Sequence, residues 1–266
     1  MAALKTVILI PARYASVRYP GKPLVPLTGP DGTKPLIRRT WEAAMSVPGV
    51  AAVHVVTDDD RIRAAAESFG ASVIMTSPDC ENGTARCAQA VEEAGIGADL
   101  VVNFQGDAPL TPPWFVTALI NAMAAAPATI GMATPVIRCD AGTLANFLAD
   151  RAAGRVGGTT AVFRADGQAL YFSKEVIPHV ARQAPGQVLP VYHHVGLYAY
   201  RPGSLAAYGG WQEGPLERLE GLEQLRFLEN GQPVLCVEVE GRGRVFWELN
   251  NSVDVKRIEQ VLKGVS

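Results

Sequence analysis

Three cations crowd one short stretch of the chain. Arg13, Arg18 and Lys22 stand among the small residues Ala12, Ala15, Ser16 and Gly21, directly after the apolar, largely β-branched run Val7-Ile8-Leu9-Ile10. Small residues let backbone N–H groups approach phosphate oxygens, and cations neutralise charge there. The stretch lacks the GxxxxGK[ST] spacing of a P-loop and the GxGxxG of a dinucleotide fold. Two readings stay open. One is a phosphate-binding loop at the carboxyl end of a first strand, where open α/β sheets take their ligands. The other is a basic surface loop with a Pro-Gly turn. Further along, Leu100-Val101-Val102-Asn103-Phe104 ends in Gln105-Gly106-Asp107. An aspartate one glycine beyond a buried strand can hold Mg²⁺, which takes few carboxylates plus phosphate oxygens. It can equally be a turn aspartate.

The elements that must position these residues alternate in type. Pro11 closes the first strand, and Thr28-Gly29-Pro30-Asp31-Gly32 predicts a hairpin tip. Pro35 opens a helix with Leu36, Ile37, Trp41 and Ala44 at helical spacing. Strands over 52–56, 72–75 and 99–104 alternate with helices over 60–69 and 85–94. This βαβαβαβ order predicts an α/β fold with a mostly parallel central sheet and helices on both faces. His54, inside an apolar strand, reads as a packed residue. From 130 the texture changes. Strands over 131–136, 159–163, 169–173 and 194–200, a glycine-bearing loop over 154–158 and an exposed stretch over 178–190 predict an inserted antiparallel half. Leu216, Leu219, Leu222, Leu225 and Leu228 predict one helix over 216–230, stopped by Gly231. A strand over 234–239 and a helix over 252–263 close the chain. The expected organisation is one domain over 1–266, with 130–235 as the insertion.

Composition narrows the class. The chain has 266 residues, 48% hydrophobic, with a formal charge of -2, so nothing electrostatic calls for nucleic acid or an anionic membrane. No apolar run is long enough to span a bilayer, and the N-terminal MAALKTVILIPAR lacks a cleavage-site pattern. A cytoplasmic protein is expected. Cys80, Cys87, Cys139 and Cys236 are scattered without a CxxC pair, which argues against zinc or a disulfide framework.

The order of residues adds more. IPARYASVRYPGKPL resembles the opening signature of the 3-deoxy-manno-octulosonate (Kdo) cytidylyltransferases, IPARxxSxRxPGKPL. Asn82-Gly83-Thr84-Ala85-Arg86 resembles their SGTER loop, and Val102-Asn103-Phe104-Gln105-Gly106-Asp107 their VNxQGDEP. Residues 169–174 resemble ALYFSR, residues 194–201 HxGIYGYR, and residues 215–226 PLExxExLEQLR. The matches run from about 7 to about 258 in the family's order. The resemblance implies a GT-A-like nucleotidyltransferase that joins CTP to an acidic sugar, giving a CMP-sugar and pyrophosphate for lipopolysaccharide biosynthesis. It implies Arg13, Ser16, Arg18 and Lys22 on the triphosphate, with Lys22 on the phosphate under attack. It implies Asn82, Gly83, Arg86 and Gln105 toward the nucleotide, and Lys174, His194, Tyr198, Gln212 and Glu217 around the acceptor. Mg²⁺ on Asp107 and Asn250 is implied too, as is a homodimer joined through the antiparallel half.

Four departures from the family pattern stand out: Ala85 and Ala108 for glutamates, Thr160 for a lysine, and Asn250 for the second magnesium aspartate. An amide oxygen can coordinate Mg²⁺ but brings no charge. Glu248 and Asp254 are the neighbouring carboxylates that would supply one if the register differs. The departures leave three options open: a changed acceptor such as an amino-Kdo analogue or a small carboxylate or phosphonate, the usual substrate in a divergent member, or a CTP-binding paralogue without turnover.

Overall fold

The computed structural model describes residues 4–15, 19–156, 158–180, 189–244 and 246–264. Strand β1, Thr6–Ala12, is buried at every position. Its side chains alternate between two cores: Ile8 and Ile10 enter one, Val7 and Leu9 the other. A strand apolar on both sides needs cover on both faces, which is why the run is continuous and not alternating.

A 3₁₀ turn, Lys22–Leu24, follows the basic loop. Hairpin β2, Pro26–Gly29, and β3, Gly32–Pro35, comes next, then α1, Leu36–Met45, β4, Ala52–Thr57, α2, Asp60–Ser68, and β5, Ser72–Met75. Helix α3, Gly83–Glu93, leads to β6, Leu100–Phe104. Strand β1 pairs in parallel with both β4 and β6, and β4 with β5. Helices α1 and α2 cover the Ile8 face, and α3 covers the Val7 face. His54 reaches Ser72 Oγ across the edge pair at 2.9 Å, a packing role.

The second half continues the same sheet. It contains α4, Pro113–Ala125, β7, Met132–Arg138, α5, Ala141–Ala152, β8, Thr159–Phe163, and β9, Ala169–Ser173. Then come β10, Tyr192–His194, β11, Leu197–Tyr200, α6, Pro202–Tyr208, α7, Pro215–Glu220, α8, Leu225–Glu229, β12, Val234–Glu238, and α9, Asp254–Leu262. The strand order is β5-β4-β1-β6-β11-β7-β10-β8-β9, with β12 beside β7. Strand β11 runs antiparallel to β6 and joins the two halves. Helix α9 docks on the β2–β3 hairpin, where Ile258, Leu27, Leu36 and Leu249 form a small core. Among the described residues no helix is long and apolar enough to cross a membrane.

Three expectations need correction. The strand expected over 194–200 is two strands: residues before Gly196 pair with β8, and residues after it with β6. The helix expected over 216–230 is also two. Gly221 at φ 60 ends α7 in the left-handed region, where its N–H returns to the Glu217 carbonyl. The leucine spacing therefore does not trace one face: Leu219 is 84% exposed while Leu225 is fully buried. The sequence pattern predicts no counterpart to helices α4, α5 and α6. In α4 apolar residues run nearly all the way round, so the period is weak, and only Phe115, Val116, Leu119 and Met123 are fully buried. The expected exposed stretch 178–190 lies mostly outside the described residues.

The break at Gly221 is testable. A Cβ there would meet Lys174 Nζ at 2.9 Å as well as the left-handed backbone. Gly221→Ala should lower the urea-unfolding free energy by about 1–2 kcal/mol. An unchanged midpoint would mean that the turn relaxes without cost.

Candidate active site

A cleft of about 1140 Å³ opens at the carboxyl ends of β1 and β6. Two neighbouring parallel strands deliver its first pair of charges. Lys22, in the 3₁₀ turn after β1, meets Asp107, after β6, at 2.5 Å from Nζ to Oδ2. Arg13 lines the same space and is exposed. Ser16 and Arg18 fall outside the described residues. The loop is thus a cleft wall, and Asp107 is not merely a turn residue.

The N-terminus of α3 forms the next wall. Asn82 caps it, accepting from the Ala85 N–H at 2.9 Å and donating to the Tyr208 hydroxyl at 2.7 Å. Gly83 lies beside Gln105, and both line the cleft. Gln105 Nε2 donates to Glu223 Oε1 at 3.0 Å, while Glu223 Oε2 accepts from the Thr84 N–H at 2.9 Å. Burial pushes the Glu223 carboxyl up. Arg86 lines the cleft as well. Its side chain is buried, with the guanidinium donating to Thr76 Oγ1 at 2.6 Å and paired with Asp58 at 3.4 Å.

The expected acceptor residues divide. Lys174, His194, Tyr198 and Glu217 line the cleft. Gln212 is exposed and lies outside the lining, a correction that follows from Trp211 beside it packing inward on Tyr208 and Phe227, which leaves Gln212 toward solvent. Glu217 is buried and bound to Arg226 at 2.6 Å, so its carboxylate is committed to an ion pair. Tyr198 donates to Gln224 Oε1 at 3.2 Å, its phenol kept protonated by burial and by the nearby Glu223 carboxylate. His194 Nε2 lies 2.8 Å from Thr134 Oγ1, which itself reaches the Leu197 carbonyl at 2.9 Å. A hydroxyl that donates to a carbonyl must accept from the ring, so His194 carries its proton on Nε2. Burial, then His193, holds its pKa down at about 3.

The segment before α9 completes the cleft. The Leu249 N–H donates to the Asp107 carbonyl at 2.8 Å, tying this segment to the β6 loop. Asp254 accepts from Trp247 Nε1 at 3.0 Å and from the Asn250 and Asn251 N–H groups at 3.0 and 2.7 Å. Both its oxygens hold the turn together. Glu248 Oε1 rests on Gly196, only 2.8 Å from where a Cβ would stand. The Glu248 carboxyl is pushed up to about 7, by burial first and by Asp107 second. Lys22, the Gly196 N–H and the Asn250 side chain oppose that rise. Asp107, Glu248 and Asn250 therefore present two carboxylates and an amide to one space, an oxygen donor set that suits a hard divalent cation such as Mg²⁺.

The motifs did not mark Glu223 and Gln224 as site residues, and offered Glu248 only as an alternative carboxylate to Asn250. Glu223 and Gln224 sit inside a quoted motif, and their signal was the Gly221 break that turns them into the cleft. Glu248 lay two residues from the position that the motif register selected.

Known proteins resemble this chain over nearly all of it. A family model described as cytidylyltransferase matches residues 7–239. The 3-deoxy-manno-octulosonate cytidylyltransferase of Maricaulis maris (strain MCS10) is 43% identical over 259 residues, 97% of each chain. The 8-amino-3,8-dideoxy-manno-octulosonate cytidylyltransferase of Shewanella sp. (strain W3-18-1) is 37% identical, covering 98% of this chain and 97% of that one. A solved structure of CMP:2-keto-3-deoxy-manno-octonic acid synthetase complexed with CTP superposes with a TM-score of 0.81 at 34% identity, over 97% of this chain and 98% of that one.

The histidine assignment has a pH signature. A folded pKa below the ordinary 6.5 means that the unfolded chain binds the proton first. The stability held by neutral His194 is complete above about 6.5 and is lost as pH falls toward the folded value. Between pH 7 and 5 the wild type should lose about 2 kcal/mol more than His194→Gln in urea titrations. Parallel losses in the two proteins would contradict the buried neutral ring.

Proposed function

The chain belongs to the cytidylyltransferase family, and from that premise we propose that it transfers CMP from CTP to an octulosonic acid, 3-deoxy-manno-octulosonate or its 8-amino analogue. The observation that carries the reading is the Lys22–Asp107 pair at the mouth of the cleft, between the loops of two adjacent parallel strands. The relatives named for these two acids, and the likeness to a structure complexed with CTP, support it.

The reaction asks mainly for alignment and charge neutralisation. The acceptor's anomeric hydroxyl oxygen bonds to the α-phosphorus as the bond to the bridging oxygen breaks. Pyrophosphate leaves, and the hydroxyl proton passes to solvent. Lys22 would exchange Asp107 for the phosphate under attack, and Arg13 would neutralise the rest of the triphosphate. Gln105, with its Nε2 taken by Glu223, keeps its carbonyl oxygen to accept from an exocyclic amine such as that of cytosine. Asn82 and Gly83 would flank the base. Lys174, with His194 and Tyr198, would meet the acid. Mg²⁺ would be held by Asp107 with the Asn250 amide facing it, and when bound it neutralises phosphate charge and polarises phosphorus. A homodimer would use the antiparallel half, where Leu148, Val156 and Leu170 are exposed.

Pyrophosphate release tests the proposal. With Mg²⁺ and CTP, release should require one of the two octulosonic acids. Replacing CTP by ATP should lower kcat/KM by about 100-fold or more, since a pocket built for one base leaves polar groups unpaired around another. Equal turnover with ATP, or no release with either acid, would overturn it.

A further inference from the structure

Asn250 stands where the family's second metal aspartate is expected, and its neutral amide leaves the charge of that site unaccounted for. Asp254 is committed to the turn, its two oxygens accepting from Trp247, Asn250 and Asn251. Glu248 is placed differently. Its Oε1 lies over Gly196, near Gln105 Cγ, two residues from Asp107. The next residue, Leu249, is hydrogen-bonded to the Asp107 backbone at 2.8 Å, which fixes the two acidic segments side by side. Both carboxylates line the cleft, and the partner within reach of Asp107 is Lys22. Glycine at 196 is a requirement of this arrangement, since any Cβ would stand 2.8 Å from the carboxylate oxygen.

We infer that Glu248 supplies the second carboxylate of the divalent-cation site, with Asn250 as its positioning partner and not the charged ligand. Two like charges brought together in a partly buried cleft repel, and a divalent cation between them removes that repulsion. The Asn250 side chain contacts the Glu248 carboxylate. An aspartate at 250 would add a third negative charge beside the other two, so glutamate at 248 and asparagine at 250 make a consistent pair. The Asp254 cap and the docking of α9 on the β2–β3 hairpin hold the turn that presents Glu248. The inference rests on the cytidylyl-transfer reading for the identity of the metal.

Manganese, titrated into the nucleotide-free full chain and followed by the electron-paramagnetic resonance of the free ion, tests the inference without turnover. The wild type should take up Mn²⁺. Glu248→Gln and Asp107→Asn should each weaken uptake by at least about tenfold, and Asn250→Ala by less than about threefold. Should Glu248→Gln fail to fold, Glu248→Asp keeps the charge but withdraws it by one methylene, and it should weaken uptake in the same direction. Uptake indifferent to Glu248 but lost with Asn250→Ala would overturn the inference, as would a wild type that takes up no Mn²⁺. Either result beside normal pyrophosphate release from CTP would leave the transferase reading standing. Absent release would strike that reading instead.

Discussion

The ion pair between Lys22 and Asp107 joins the loops that leave two adjacent parallel strands, and the cleft is organised about it. At 2.5 Å, with its side chains 15% and 24% exposed, it is partly solvated. Such a pair adds little net stability, because the desolvation of both ions offsets most of their attraction. Its value lies in readiness. A cation and an anion are held at the carboxyl ends of β1 and β6 before any ligand arrives, so little reorganisation remains when phosphate charge enters. Glu248 then adds a second carboxylate to the same spot, which makes the empty cleft electrostatically unfavourable in a way that a polyanion chelating a divalent cation relieves.

The fold exists to keep that arrangement rigid. Strand β1 is covered on both faces, so its end is fixed by two cores at once. Strand β11 carries the antiparallel half onto β6, and the change of partner at Gly196 leaves the backbone bare where Glu248 rests. Helix α9, far along the chain, returns to the β2–β3 hairpin and fixes the segment that faces Asp107. The cleft is thus walled by parallel strand ends on one side and by segments from the antiparallel half and the C-terminus on the other.

Much of this was legible in the residues. The run Val7–Ile10 and the run ending at Phe104 declared themselves as buried strands, and the small basic loop and Gln105-Gly106-Asp107 marked the ends where ligands sit. The quoted motifs then identified the family. What stayed hidden depends on tertiary placement. The leucines over 216–228 look like one helical face until Gly221 takes a left-handed conformation. Arg86 is legible as a cleft residue, but its partners Thr76 and Asp58, in the loops after β5 and β4, are not. The residues could offer Glu248 only as an alternative to Asn250, because nothing in the sequence ties it to Asp107, 141 positions earlier, and the Leu249 hydrogen bond that joins the two segments is a tertiary contact.

Steady-state kinetics of Lys22→Ala at saturating CTP and acceptor test the central claim most directly. Loss of one charged contact to a transferring phosphate should cost about 2–4 kcal/mol of barrier, a fall in kcat of roughly 30- to 1000-fold, with the circular dichroism of the folded protein unchanged. A variant that keeps the wild-type kcat would contradict the account, because Lys22 would then serve only to neutralise Asp107.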